Sequence, residues 1–283
     1  MATYKGIKGV KVQSKASDPT ASEAGGTVWY NTATSALKYS IAGAGTWAAG
    51  GALNTGRGQF GLTGTVTAAI AFGGAPAQKT NTETYDGTSW TNAPTINTGV
   101  QYNVGFGSTT AAVNTGGVVV GGADTGITET WNGSAWSTSP GTLGQASQKR
   151  SASNQAPSTT GIVFAGYKQS PNTSIDLTEQ WDGSAWTEVN DLNTAREAGG
   201  GSGITTSALL YGGATPPNSA LAEQYDGTSW TEVADLATAR QGVGKGTGAS
   251  GGSALAAGFD GSPSTITEEW TSPVYTIKTV TIS

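Results

Sequence analysis

Internal repetition limits the fold of this chain more than any single residue does. Residues 179–196 read EQWDGSAWTEVNDLNTAR, and 223–240 read EQYDGTSWTEVADLATAR. A third copy opens at 83 with ETYDGTSW, a fourth at 129 with ETWNGSAW, and a degenerate one at 47–57 keeps only the Trp and LNTGR. Self-similarity at a fixed period of tens of residues marks architectures in which one small unit cannot bury its own apolar face and must be covered by its neighbours.

The anchors Trp47, Trp90, Trp136, Trp186 and Trp230 stand 43, 46, 50 and 44 residues apart. Ten residues after each comes Arg57, Val100, Ala146, Arg196 or Arg240. A short apolar run closed by glycine follows: AIAFGG at 69–74, VVVGG at 118–122, VFAG at 163–166, LLYGG at 209–213 and LAAG at 255–258. Then comes Glu83, Glu129, Glu179, Glu223 or Glu268, each two residues before an aromatic, so alternation puts both on one strand face. The aromatic leads into Asp-Gly or Asn-Gly and the next Trp, a strong hairpin signal. Each unit thus predicts four short strands, and no segment holds a helical period.

Five such units predict an all-β fold, a five-bladed β-propeller over 44–270. The last unit lacks a fourth strand after Trp270, while a Trp47 strand stands unattached at the front. Pairing Trp47 antiparallel to 265–270 would close the ring and remove two open sheet edges. Outside the repeats lie 1–43, with a hairpin built from TVWY and ALKYS, and 271–283, with the β-branched run VYTIKTVTI. Ring closure would bring these ends together into a small shared sheet.

Composition excludes several chemistries. No Cys and no His are present, which removes disulfides, thiolate metal sites, the commonest metal ligand and the usual neutral-pH base. A net charge of −5 opposes nucleic-acid binding, and no apolar run is long enough to span a membrane as a helix. The N-terminus lacks the apolar core of a signal peptide. Each Asp/Asn-Gly loop carries one carboxylate at most, too few for calcium, so Asp86, Asn132, Asp182 and Asp226 read as turn residues. The glycine strings at 199–203 and 248–252 lack the Lys-Ser/Thr of a phosphate loop. No catalytic residue, metal site or cofactor is expected. The Glu and Arg series reads as an ion pair repeated once per unit.

Gly-Gly after an apolar strand, an aromatic before a turn, then Trp and a downstream Arg resemble kelch repeats. The segment ASEAGGTVWYNTATSALKY followed by GTW is similar to short segments of tail-fibre and other virion proteins of bacteriophages. Glycine-rich kelch-like arrays after such a leader resemble structural proteins of marine phages. The resemblance implies a non-enzymatic virion protein, a tail or capsid appendage that presents a propeller for recognition of a host-surface glycan. A capsid decoration protein without ligand is the alternative, and a glycan-processing enzyme a distant third. The copper oxidases known on kelch-like folds need His, which this chain lacks. The terminal strands are expected to contact other virion proteins or sister copies, as in a homotrimer. The loops after the glycine pairs vary most, and in them Tyr167, Lys168, Phe259 and Asp260 are the candidate ligand-binding residues.

Overall fold

In a computed structural model, the structure describes residues 12–19, 28–41, 51–65 and 67–242. It also describes the backbone of the strands Ser253–Ala257, Thr267–Thr271 and Thr276–Val280. Every regular element among the described residues is a β-strand. The chain divides into two compact units: Met1–Ala48 with Thr271–Ser283, and Ala49–Trp270.

The smaller unit is one sheet, in the order Gln13–Lys15, Val28–Asn31, Ala36–Ile41, Thr276–Val280. The first pair is parallel and the others antiparallel, so both ends of the chain share a sheet. Asn31 pairs with Ala36, which leaves a four-residue turn. Asn31 holds that turn by accepting the N–H groups of Ala33 and Thr34 at 3.0 Å. Asp18 pins the sheet's polar side: it accepts from Asn31 Nδ2 at 2.6 Å, from the indole of buried Trp29 at 3.2 Å, and from Lys38 Nζ at 2.7 Å. Lys38 foremost, then Asn31, lowers the Asp18 pKa below the usual carboxylate value.

The larger unit contains four four-stranded antiparallel sheets in up-and-down order, plus the pair Ser253–Ala257 and Thr267–Thr271. The first sheet, Gly61–Thr65, Ala68–Phe72, Thr82–Tyr85 and Trp90–Ala93, sets the pattern. The first strands of successive sheets lie side by side, from Gly61–Thr65 through Val104–Gly107, Ser151–Ala152 and Gly200–Ile204 to Ser253–Ala257. Three of the four apolar clusters among the described residues span consecutive sheets. Ile70 and Phe72 meet Trp131 and Trp136; Val104 and Phe106 meet Val163 and Trp181; Ile162 and Phe164 meet Leu210 and Trp230. Shared burial of this kind explains why the unit repeats at all.

The hairpin loops are tighter in their chemistry than the Asp-Gly signal implied. Tyr85 pairs with Trp90, so four residues make the turn, and only Gly87 is left-handed, at φ +99°. Asp86 acts as an acceptor: its Oδ1 takes the N–H groups of Thr88 and Ser89, each at 2.8 Å. Asn132, Asp182 and Asp226 repeat the arrangement.

In the second copy the buried strand is Ala112–Thr115, not the VVV run at 118–120. Gly116 and Gly117, with φ of +66° and +100°, match Gly73 and Gly74, with +70° and +114°. Asn114 interrupts the apolar pattern there, but it is buried and accepts from Asn103 Nδ2 at 2.7 Å. Val120 is exposed, at 75 %. The third copy also shifts by one residue: an insertion before Leu143 puts buried Ser147, not Ala146, at the place of Val100 and Arg196. The strand expected around Trp47, and its pairing with 265–270, lie outside the described residues.

Candidate functional site

Each linker between sheets runs from an apolar residue to the Arg position, through Asn-Thr in three of the five copies. The apolar residue (Ile96, Leu143, Leu192 or Leu236) donates its N–H to a loop carbonyl of its own copy. The next residues then cross to the following copy. Asn54 and Thr55 donate N–H groups to the Glu83 carboxylate at 2.7 and 3.2 Å; Asn97 and Thr98 do so to Glu129 at 2.7 and 2.9 Å. Gly144 and Asn193 serve Glu179 and Glu223 at 2.6 and 2.8 Å. Arg57 meets Glu83 at 3.0 Å and Arg196 meets Glu223 at 2.5 Å, all four side chains buried. In the third copy Arg150, three residues past Ser147, turns back to pair with Glu179. Burial lowers the pKa of Arg57, Arg150 and Arg196, and the partner carboxylate opposes that shift.

The same seam carries a tryptophan bond. Trp136, Trp186 and Trp230 donate their indole N–H to Thr82, Thr128 and Thr178 of the preceding copy, at 3.1, 2.9 and 3.0 Å. Their rings meet Phe72, Phe106 and Phe164 edge-on, with centroids 5.0, 6.1 and 4.8 Å apart. The Glu, Arg and Trp series is therefore mortar between sheets. The carboxylates of Glu83, Glu129, Glu179 and Glu223 are each engaged by backbone N–H groups of the preceding linker, and Glu83, Glu179 and Glu223 also by an Arg.

Two residues past the Arg position the backbone turns left-handed: Gln59, Tyr102, Lys149 and Ala198 have φ of 56°, 58°, 55° and 54°, and Gly242 has 62°. Such values are uncommon for residues with a Cβ. They let each residue bond to the last one. Tyr102 N–H donates to the Gln59 carbonyl at 2.7 Å, Lys149 to Tyr102 at 3.1 Å, Ala198 to Lys149 at 3.0 Å, and Gly242 to Ala198 at 2.8 Å. This backbone relay crosses the copies and brings their rims together.

Around it is a depression of about 600 Å³. Tyr102 and Lys149 come from the relay, Gln101, Gln148 and Glu197 from the residues before it, and Tyr167 and Asn172 from the segment after Ala165-Gly166. Lys149 Nζ pairs with Glu197 at 2.8 Å and lies 5.6 and 4.9 Å from the ring centroids of Tyr102 and Tyr167. The Tyr167 hydroxyl bonds to Asn172. Behind them Asp124 accepts from Gln148 Nε2 at 2.8 Å and from the Gln169 N–H at 2.7 Å.

Of the residues expected to bind ligand, Tyr167 lines this depression. Lys168 is its half-buried strand neighbour and is not in the lining. Phe259 and Asp260 lie outside the described residues. The sequence reading missed Tyr102, Lys149 and Glu197, although all three occupy the one or two positions after the Arg site. Among the described residues no cluster of acidic side chains could hold a metal ion.

No family model matches the chain, and no curated protein matches it. Solved structures do. One, reported as "Structure of YjhT", superposes with a TM-score of 0.60 over 86 % of this chain and 91 % of its own, at 14 % identity. A likeness at that identity concerns the fold alone.

Proposed function

We propose that this chain is a five-bladed, kelch-like β-propeller on a bacteriophage virion, a non-enzymatic tail or capsid appendage that recognises a host-surface glycan. The propeller reading is supported by first strands lying side by side through five sheets, and by the relay at positions 43, 47, 49 and 44 residues apart. The recognition reading rests on one observation: the depression, where amide and tyrosine side chains of successive copies converge. Its chemistry is shallow and polar, and several copies on one particle would gain affinity through effective concentration. Attachment falls to the smaller unit, whose sheet ends on Gln13–Lys15 at one edge and Thr276–Val280 at the other. Edge strands of this kind add to a partner's sheet through main-chain hydrogen bonds, as in a homotrimer or with another virion protein.

The test has two parts. The intact chain is screened on a glycan array and on host cells, and a truncation lacking 1–26 and 274–283 is scored for folding and for incorporation into particles. Binding to host glycans, with a truncation that folds but stays off the particle, supports the reading. Normal incorporation of the truncated chain overturns the attachment role. Absence of glycan binding overturns recognition and favours a decoration protein.

A further inference from the structure

The charge balance of the depression points to the kind of sugar it takes. Among the described residues of its lining only Lys149 and Glu197 are charged, and they neutralise each other at 2.8 Å. Glu197 is buried, so its carboxylate is committed to Lys149. The ammonium is further held near the two tyrosine rings, which attract a cation electrostatically. Nothing in the described lining therefore offers an uncompensated positive charge. Asp124, bonded to Gln148 and Gln169, adds a negative charge behind the wall. An anionic sugar entering here would lose water around its carboxylate or sulfate and gain no cation in return.

What remains free is suited to hydroxyl groups. Gln78, Gln101, Gln148 and Gln169 line the depression, and a primary amide presents both donors and an acceptor; Asn172 also lines it, its carbonyl oxygen taken by the Tyr167 hydroxyl. A sugar hydroxyl likewise donates and accepts. Gln148 is oriented already: its Nε2 serves Asp124, which leaves its carbonyl oxygen to accept. Half-buried Tyr102 and Tyr167 supply apolar surface for the C–H face of a pyranose. A volume of about 600 Å³ is enough for one or two sugar rings.

We infer that the depression binds a neutral, hydroxyl-rich glycan terminus and discriminates against acidic ones, with Glu197 setting that preference by occupying Lys149. The inference rests on the glycan-recognition reading above and sharpens it. The experiment measures binding of the intact chain to matched arrays of neutral and of sialylated, uronic or sulfated glycans, for wild type and for Glu197→Gln, Tyr167→Ala and Tyr167→Phe. Thermal melting of each variant is followed in parallel. Wild type should prefer neutral glycans. Tyr167→Ala should weaken binding about tenfold, and Tyr167→Phe less, since the ring is kept. Glu197→Gln leaves Lys149 uncompensated and should raise binding to acidic glycans by about tenfold. If Glu197→Gln fails to fold, the wild-type preference and the two Tyr167 variants still decide. A wild type that prefers acidic glycans overturns the inference and leaves glycan recognition standing. Neutral binding that survives Tyr167→Ala in a folded variant moves the site elsewhere and overturns the inference. Binding of neither class overturns the inference and the recognition reading together.

Discussion

Arg196 and Glu197 are neighbours in sequence, yet they face opposite demands. Arg196 reaches forward to Glu223 in a fully buried seam, where Asn193 already donates to the same carboxylate. Glu197 reaches back to Lys149 at a partly open rim. The seam must present an acceptor to backbone N–H groups that every copy carries, so Glu recurs at 83, 129, 179, 223 and 268. The rim has no such fixed partner, and the residue after the Arg position is Gly58, Gln101, Gln148, Glu197 or Gln241 in turn. Repetition thus follows from backbone groups that must be satisfied. Variety is tolerated where side chains satisfy one another or solvent.

Breaking the seam should have the largest effect. Trp230→Ala removes a buried ring, its contact with Phe164 and its bond to Thr178, and should cost about 3–5 kcal/mol in denaturant unfolding. Glu223→Ala should cost a similar amount, about 3–5 kcal/mol, because Arg196 is left buried and uncompensated. The pair itself need not add net stability, since two charges must be desolvated to form it. Replacing Glu223 and Arg196 together by apolar residues should therefore cost less than Glu223→Ala alone. A double variant as unstable as the single one would show that the Asn193 contact, not the ion pair, holds the seam.

An intermediate effect is expected at the hairpin turns as pH falls. The N–H groups of Ser89, Ala185 and Ser229 lead in holding Asp86, Asp182 and Asp226 below the usual carboxylate pKa. A carboxylate whose folded pKa is lowered adds stability above its unfolded value, and that stability is lost as pH falls through the folded one. Melting temperature should therefore drop below about pH 4, the unfolded carboxylate value. Asn132 makes the same bonds without titrating. Converting all three Asp to Asn should flatten the acid limb; an unchanged limb would assign acid sensitivity to other groups.

Rim substitutions should be mildest for stability. Lys149→Ala removes a partly exposed pair and should change unfolding free energy by about 1 kcal/mol or less. Ala198→Gly tests the relay: a left-handed alanine is strained by about 1–2 kcal/mol, offset in part by the greater freedom of unfolded glycine. The variant should be as stable as wild type or slightly more so. A clear loss would mean that the Ala198 methyl group packs in a way the φ value does not reveal.

The sequence by itself determined the repeat, the absence of a helical period, the hairpin at each Asp/Asn-Gly and the pairing of Glu with Arg. These rest on local spacing, which alternation and turn chemistry translate directly into strands. It also marked Tyr167 as a residue to watch, through loop variability. It misread the second copy, because VVV at 118–120 looks more buried than AAVNT; only packing reveals that Asn114 is satisfied inside by Asn103. Arg150 was hidden for a similar reason, since a guanidinium three residues out of register can still reach Glu179 in space. Above all, the left-handed relay and the meeting of Tyr102, Lys149, Tyr167 and Glu197 belong to tertiary structure alone. These four come from three different copies, and no spacing rule within one copy can say which neighbours will share a rim.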